Sequence, residues 1–154
     1  MVGINRKKLK PSDFDFGALV GEGAYARVFH AVLKETGESF AIKVLDKLFI
    51  RRHAKEHFVL NERKVLSMID HPNLMKLIST FQDSTSLYFV LELAPGGELL
   101  QQIKKIGGCS VEVVKFYLAE IIIALEYLHS LQISTFHNFH YHFTNSLFSS
   151  SQRS

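Results

Sequence analysis

The glycine-rich segment GEGAYARV at residues 21–28 runs directly into a strand-forming sequence, and this order restricts the fold more than any other feature. Gly21 and Gly23 lack a Cβ, so backbone N–H groups there can approach phosphate oxygens closely. A dinucleotide-binding fold would need a helix directly after the glycines and an acid about 20 residues further on. The sequence instead predicts a strand, so the loop caps a hairpin. Taken alone, an ordinary glycine turn stays open as an alternative.

The hydrophobic pattern predicts a chain that mixes strands and helices. Residues 14–45 predict a three-stranded meander, and a helix follows from Lys55 to Ile69, with Pro72 just beyond it. Further along the chain, after two more strands, Pro95, Gly96 and Gly97 interrupt the hydrophobic pattern. The remaining predicted elements are strands at 74–81 and 87–93, a short helix at 98–106, and a long helix at 110–129 with Ser110 as its N-cap.

Two charged residues lie inside apolar patterns. Lys43 interrupts the strand from Phe40 to Leu45, where an ammonium is costly to bury unless an anion meets it. On a helical wheel, Glu62 falls about 40° from Phe58, about 60° from Val65 and about 20° from Ile69, on the predicted apolar face. We therefore expect Lys43 and Glu62 to pair, with the lysine also able to reach a nucleotide phosphate. An edge strand that lets Lys43 extend to water, or an exposed Glu62, is the alternative.

Several phrases of the sequence together resemble one protein family. They are GEGAYARV, FAIK, NERKVL, DHPNLMKL, LYFVLELAPGGELL and EYLH. In order and spacing they are similar to the amino-terminal lobe and first carboxyl-terminal-lobe helices of serine/threonine protein kinases, over residues 12–133. The phrases DFDFG, TFQD, GGELL and AEIIIALEYLH resemble the AGC group and, within it, the 3-phosphoinositide-dependent kinases. A hairpin lid over phosphates is also the arrangement that kinases use.

The resemblance implies an α+β fold. It comprises a five-stranded antiparallel sheet with a regulatory helix, followed by the first helices of an incomplete second lobe. The implied divisions are a basic tail at 1–11, the amino-terminal lobe at 12–93, the hinge and first helices of the second lobe at 94–133, and a non-homologous tail at 134–154 that we expect to be disordered. The first tail is interpreted as solvated, with an anion-docking arm as the alternative.

The resemblance also implies an ATP site, residue by residue. The phosphate lid would comprise Gly21, Glu22, Gly23, Ala24, Tyr25 and Ala26, in which Ala26 replaces a third glycine, and Val20 just before it would also belong to the nucleotide site. Val28 and Ala41 would line the adenine pocket, and Lys43, paired with Glu62, would contact phosphate. Leu91 would be the gatekeeper, the backbone groups of Glu92 and Ala94 would meet the adenine edge, and Glu98 would lie near the ribose.

A second implied site would accept the phosphorylated hydrophobic-motif peptides of other kinases. Val59 and Leu87 match its apolar positions, and the phosphate-binding rim is matched by Lys8, Arg63, Thr80 and Gln82. Two cations with hydroxyl and amide donors suit a doubly charged phosphate. Scattered surface polar residues are the alternative for the same positions.

Catalysis is not expected from this chain. Kinases need a catalytic-loop Asp, and an Asn and a second Asp that hold magnesium. In family register the first of these should follow Ile133, where the sequence reads Ser134-Thr135-Phe136-His137, and no aspartate follows Asp83. We therefore predict a truncated kinase domain that binds ATP weakly, has no catalytic residue and lacks the magnesium ligands. A translated intron, a shifted frame or an incomplete gene model would explain the change of pattern.

Other classes of function find little support. The longest apolar stretch, residues 121–125, is far short of the roughly 20 residues that a bilayer needs, so we predict a soluble, cytoplasmic chain with no transmembrane segment. A formal charge of +3 does not indicate a nucleic-acid partner. Cys109 is a poor candidate nucleophile, and His137, His140 and His142 lack a fourth metal ligand. The helix from Ser110 is apolar nearly all round, which predicts aggregation or capture by chaperones.

Overall fold

A computed structural model describes residues 9–97 and 99–133 of the chain. The predicted tail at 134–154, most of the basic tail at 1–11, Lys8 and Glu98 lie outside the described residues. The chain forms two compact units. The first contains the described residues up to 63 together with Leu77–Leu93, and the second contains Lys64–Lys76 and the described residues from 94 to 133.

The first unit is built on a five-stranded antiparallel sheet, as predicted. Its strands are β1 (Phe14–Glu22), β2 (Ala26–Leu33), β3 (Ser39–Asp46), β4 (Leu77–Gln82) and β5 (Ser86–Glu92). Their order in the sheet is β1-β2-β3-β5-β4, and every neighbouring pair is antiparallel. A short 3₁₀ turn, Pro11–Asp13, precedes β1. The predicted meander is confirmed, and Gly37 closes its second turn with a φ of +73°, a conformation that favours glycine.

Four helices complete the described chain: α1 (Lys47–Arg52), α2 (Glu56–Met68), α3 (Leu99–Ile106) and α4 (Val111–Ser130). The last three are close to their predicted ranges. Ser110 is the N-cap of α4, and its side chain accepts a hydrogen bond from the Val113 backbone N–H at 3.4 Å. Helix α1 was not predicted; Asp46 caps it by accepting a bond from the Phe49 N–H at 2.8 Å.

Alternating residues of β3 separate the two faces of the sheet. Ile42 belongs to an apolar cluster on one face, whose other buried members are Phe14, Ala31, Leu33, Phe40, Phe81, Tyr88 and Val90. Lys43 points to the opposite face because successive side chains of a strand alternate. Since β3 has β2 on one side and β5 on the other, the alternative that Lys43 lies on an edge strand is wrong.

The second unit has its own apolar cluster. Its buried members are Ile69, Leu74, Ala124, Leu128 and Ile133. The predicted strand at 74–81 begins at Leu77 instead, because Leu74 packs in this cluster and is apolar for that reason. Buried Asn73 donates from its amide to the Glu120 backbone oxygen at 3.2 Å, so its polar side chain is satisfied.

The turn between β4 and β5 is organised by one carboxylate. Asp83 accepts hydrogen bonds from the Tyr88 hydroxyl at 2.7 Å and from the backbone N–H groups of Thr85 at 2.8 Å and Ser86 at 2.7 Å. The Tyr88 bond, followed by the two backbone bonds, lowers the pKa of Asp83 to about 2. Asp83 therefore stabilises this turn most when its carboxylate is ionised.

Asp83→Asn is expected to destabilise the first unit at neutral pH, because the amide cannot accept all these hydrogen bonds as a carboxylate does. The pKa of Asp83 is lower in the folded chain than in the unfolded one, so its contribution is complete above about pH 4 and is lost as the pH falls towards 2. Urea unfolding at several pH values would show the wild type and the variant converging in acid. Asp15→Asn, on the surface pair with Lys34, is the control, and equal pH dependence in both variants would contradict this role.

Candidate functional site

The glycine-rich loop is the turn of the β1–β2 hairpin. Gly21 pairs with Val28 and Glu22 with Arg27 across the two strands. The Gly23 N–H donates to the Ala26 backbone oxygen at 2.8 Å and closes the turn. Val20 is exposed, as are the loop positions from Glu22 to Ala24. These positions are accessible to a ligand, as a lid over phosphates would require.

The fold itself does not require glycine at these two loop positions. A Cβ built at Gly21 would lie 3.6 Å from the Val28 Cβ, and one at Gly23 would lie 3.7 Å from the Ala26 oxygen. Both distances are ordinary van der Waals contacts, and neither glycine has a positive φ. These glycines are therefore not needed for the conformation of the turn. Their missing side chains leave open space beside the backbone.

Lys43 and Glu62 form a partly buried ion pair. The Lys43 Nζ lies 2.5 Å from the Glu62 Oε1, and their side chains are 14% and 10% exposed. The expected pairing of these two charges is therefore present. An attraction of this kind is strengthened where water is mostly excluded. The glutamate fixes the ammonium on the sheet face and leaves it able to donate to an anion.

The environment of Glu62 on α2 differs from the helical-wheel prediction. Phe58 is 41% exposed and contacts Lys55 and His57, so its assignment to the inner face is wrong. The buried residues on either side of Glu62 are Val59 and Leu66. The Glu62 carboxylate still lies on the buried side of α2. That side is formed by Val59 and Leu66, however, and not by Phe58 as predicted.

Strand register brings the predicted pocket residues to one face of the sheet. Residues directly opposite in an antiparallel pair point to the same side, as do residues two apart in a strand. Val28 is opposite Lys43, and Ala41 is opposite Leu91. Gly21 is opposite Val28 at the edge of this group. Ala41 and Leu91 are buried, and their side chains share this sheet face with the Lys43 ammonium.

The other residues predicted for the nucleotide site lie at or beyond the end of β5. Glu92 is the last residue of β5 and is half-buried. Ala94 follows the strand in the second unit, and Glu98 is outside the described residues. Their roles towards adenine and ribose stay predictions.

The predicted phosphopeptide residues are partly assembled in the first unit. Gln82 is opposite Leu87, and Thr80 precedes Gln82 by two residues, so these three side chains share a sheet face. Arg63 is exposed on α2, whereas Val59 is buried. Lys8 is outside the described residues. Of the predicted rim, Arg63 and Gln82 are exposed and Thr80 is half-buried, whereas buried Val59 offers little surface to a peptide.

Sequence reasoning placed Tyr25 in the lid but missed what its ring contacts. The Tyr25 ring stacks on Phe49 of α1, with centroids 6.2 Å apart and planes 22° apart. Burial raises the pKa of the Tyr25 hydroxyl, and the negative charge of Glu62 raises it further. The only sequence signal for this contact was Asp46, a good N-cap residue in front of the unpredicted helix.

Comparison with known proteins gives the family. The pattern of the protein kinase domain matches residues 14–137, most of the chain. This chain is a member of the protein kinase family. The resemblance inferred from the sequence phrases is therefore confirmed, and the sheet with its helices matches a kinase amino-terminal lobe with a few helices of the second lobe.

Relatives of this kinase-family chain include 3-phosphoinositide-dependent protein kinases of distant organisms. It is 48% identical to 3-phosphoinositide-dependent protein kinase B of Dictyostelium discoideum over 85% of this chain and 14% of the relative. It is 47% identical to 3-phosphoinositide-dependent protein kinase 1 of Arabidopsis thaliana over 77% of this chain and 24% of the relative. Identity with the Homo sapiens 3-phosphoinositide-dependent protein kinase 1 is 46%, over 80% of this chain and 22% of the relative.

The chain thus spans less than a quarter of the length of these three relatives. Within residues 9–97 and 99–133, no helix has the length and apolar character needed to cross a bilayer. The same residues contain no cluster of three or more His, Cys, Asp or Glu side chains suited to a metal ion.

Proposed function

We propose that this chain is the ATP-binding portion of a serine/threonine protein kinase. The observation that carries the proposal is the Lys43–Glu62 ion pair on the sheet face that also holds Val28, Ala41 and Leu91. A buried cation needs an anion, and the glutamate supplies one while leaving ammonium protons for a second. A nucleotide matches this face in two ways. Its polyphosphate can bind the Lys43 ammonium, and its base can pack against the apolar side chains of Val28, Ala41 and Leu91.

Each residue has a distinct proposed role in binding. Lys43 donates hydrogen bonds to phosphate oxygens, and Glu62 holds its ammonium in position. The backbone of the loop from Gly21 to Ala26 covers the phosphates. Val28, Ala41 and Leu91 exclude water around the adenine. The backbone groups of Glu92 and Ala94 donate to and accept from the adenine edge, and Glu98 binds near the ribose.

The chain as given supplies binding but not turnover in this proposal. ATP provides the transferable phosphoryl group, and kinases use carboxylates beyond the amino-terminal lobe to orient the acceptor hydroxyl and hold magnesium. No aspartate follows Asp83, so the residues of this chain do not fit a kinase magnesium site. We expect ATP binding with a Kd of about 1 mM or weaker, and no phosphotransfer from the 154-residue chain. We also place it in the cytoplasm, where ATP-dependent kinases work.

An ATP titration followed by backbone amide NMR would test this function. Chemical-shift changes are expected in the loop and along β3, and Lys43→Met should abolish them. Arg63→Ala, on the exposed side of α2, is the matched removal of a cation and should leave the titration unchanged. Shift changes that persist in Lys43→Met would show that ATP binds elsewhere, and their absence from the wild type would reject the proposal.

Gly23→Ala should separate binding from folding. Because a Cβ fits at this position, we expect the free energy of unfolding to change by less than about 0.5 kcal/mol. ATP binding should nevertheless weaken severalfold, since the methyl group obstructs the approach of phosphate to the backbone. Gly37→Ala is the opposite control: its positive φ should cost about 1 kcal/mol of stability without affecting ATP. Equal ATP affinity of Gly23→Ala and wild type would argue against a phosphate lid.

A phosphopeptide-docking module is the second candidate function. It is favoured by the shared face of Thr80, Gln82 and Leu87 and by the exposure of Arg63, and its ligand would be a phosphorylated hydrophobic-motif peptide. Titration with such a peptide and its unphosphorylated form would test it. Binding of the phosphorylated form that survives Gly23→Ala and Lys43→Met but is lost in Arg63→Ala supports the module. If neither ligand binds, the remaining alternative is an incomplete gene product without a separate role.

A further inference from the structure

The tip of the glycine-rich loop is fixed by more than its own hairpin. The Asp46 backbone N–H donates to the Tyr25 backbone oxygen at 3.4 Å, and the Tyr25 ring stacks on Phe49. Both contacts join the loop to the segment where β3 ends and α1 begins. Exposed hairpin tips without such contacts are usually mobile. Here an aromatic side chain and a backbone hydrogen bond restrain the tip from the same direction.

Helix α1 is suited to hold the loop because it is itself tied down at several points. Ile50 of α1 is buried, and Asp46 caps the first turn of the helix. The Lys47 backbone N–H donates to the Thr85 backbone oxygen at 3.0 Å, and the Lys47 ammonium donates to the Asp83 backbone oxygen. Helix α1 is therefore anchored to the turn between β4 and β5. These two strands lie on one side of β3 in the sheet, and the β1–β2 hairpin with the glycine-rich loop lies on the other.

The Phe49 ring is restrained within α1 as well. It stacks with His53 one turn later, with centroids 3.9 Å apart and planes 19° apart. The His53 Nδ1 lies 2.9 Å from the Phe49 backbone oxygen, which fixes the imidazole against the same turn. Stacked aromatic pairs contribute beyond the area that they bury. Phe49 therefore offers the Tyr25 ring a surface with a defined position.

We propose that Tyr25 is a positioning residue that anchors the tip of the glycine-rich loop to helix α1 through Phe49. The half-buried ring holds the loop in place before any ligand arrives, so the loop need not be ordered by the nucleotide. The consequence for ATP rests on the function proposed above, whereas the anchoring itself does not. Displacing α1 would release the loop, which makes this short helix a point from which nucleotide binding can be controlled.

Residue-resolved amide hydrogen exchange of the chain without nucleotide would test the anchor. The amides to follow are that of Asp46, which bonds the Tyr25 oxygen of the loop, and that of Gly23, which closes the loop's own turn. Loss of the stacked pair in Tyr25→Ala or Phe49→Ala should accelerate their exchange by about three- to tenfold. Tyr25→Phe keeps the ring and should restore slow exchange. Phe58→Ala removes an exposed aromatic side chain of α2 and should have no effect.

The outcomes separate the anchor from the proposed nucleotide site. Unchanged exchange of both amides in Tyr25→Ala would overturn the anchor, and so would the same acceleration in Phe58→Ala. If Phe49→Ala unfolds, Tyr25→Ala and its rescue by Tyr25→Phe decide the question. ATP affinity should fall in Tyr25→Ala and recover in Tyr25→Phe, and an unchanged affinity would overturn the positioning role. If the wild-type chain binds no ATP, the proposed function is wrong. The hydrogen-exchange measurement without nucleotide still tests whether Tyr25 anchors the loop.

Discussion

Glu62→Ala is expected to lower the free energy of unfolding by about 3–5 kcal/mol, because it leaves a largely buried ammonium without its carboxylate. The Lys43 side chain is only 14% exposed and lies in the central strand of the sheet, so it cannot easily reach water. Urea unfolding followed by circular dichroism would measure the loss.

A matched double variant distinguishes the effect of the unpaired charge from the effect of losing side-chain volume. Lys43→Met combined with Glu62→Leu replaces both charges by apolar side chains of similar size, and such replacements of buried pairs are often neutral or stabilising. We therefore expect the double variant to regain most of the stability lost in Glu62→Ala. Asp70→Ala, which breaks the exposed ion pair with Lys76, should cost less than about 1 kcal/mol. If Glu62→Ala were as stable as wild type, the ion pair would not be a buried one in solution.

The second large effect concerns the outer surface of α4. Val111, Val114, Leu118 and Ile122 lie within about 80° of one another on a helical wheel, and these four side chains are between 44% and 63% exposed. Ala124 and Leu128, which are buried, lie about 120° and about 80° from the middle of this stripe. An apolar stripe of this kind promotes association with other apolar surfaces, including those of chaperones.

Replacing the four stripe residues by Gln or Lys should therefore change the behaviour of the chain in solution. We expect wild type to self-associate and the fourfold variant to remain monomeric at a concentration at least about tenfold higher, since each apolar side chain removed is worth more than 1 kcal/mol of burial. Sedimentation velocity over a concentration series would measure this. Leu60→Gln, at a single exposed leucine of α2, is the control. A wild-type chain that sediments as a monomer at high concentration would contradict the prediction.

The sequence was most informative where two kinds of pattern conflicted. Lys43 and Glu62 each broke an apolar pattern, and a buried charge must find a partner, so their pairing could be predicted without coordinates. The glycine loop followed by a strand gave the hairpin in the same way. Strand register then brought Val28, Ala41 and Leu91 beside the lysine, which no property of the separate segments could show.

The errors have physical causes too. Helix α1 was missed because it is only six residues long, too short to show a periodic apolar pattern. Phe58 was assigned to the inner face because it is apolar, yet its ring lies over the Lys55 ammonium at 4.6 Å. Leu74 was assigned to a strand because a buried loop residue and a strand residue have the same composition. The Tyr25–Phe49 contact depended on α1 and could not be predicted without it.

In the proposed function Lys43 lies beside the phosphates of bound ATP, and one labelling measurement tests this position most directly. In an ATP analogue with an acyl group on its terminal phosphate, a nearby lysine amine attacks the acyl carbon, an amide forms and ATP leaves. Mass spectrometry should find the acyl group on Lys43, with labelling suppressed by excess ATP, while the exposed Lys34 and Lys104 react equally with or without ATP. An unmodified Lys43, or one labelled without protection by ATP, would contradict the account.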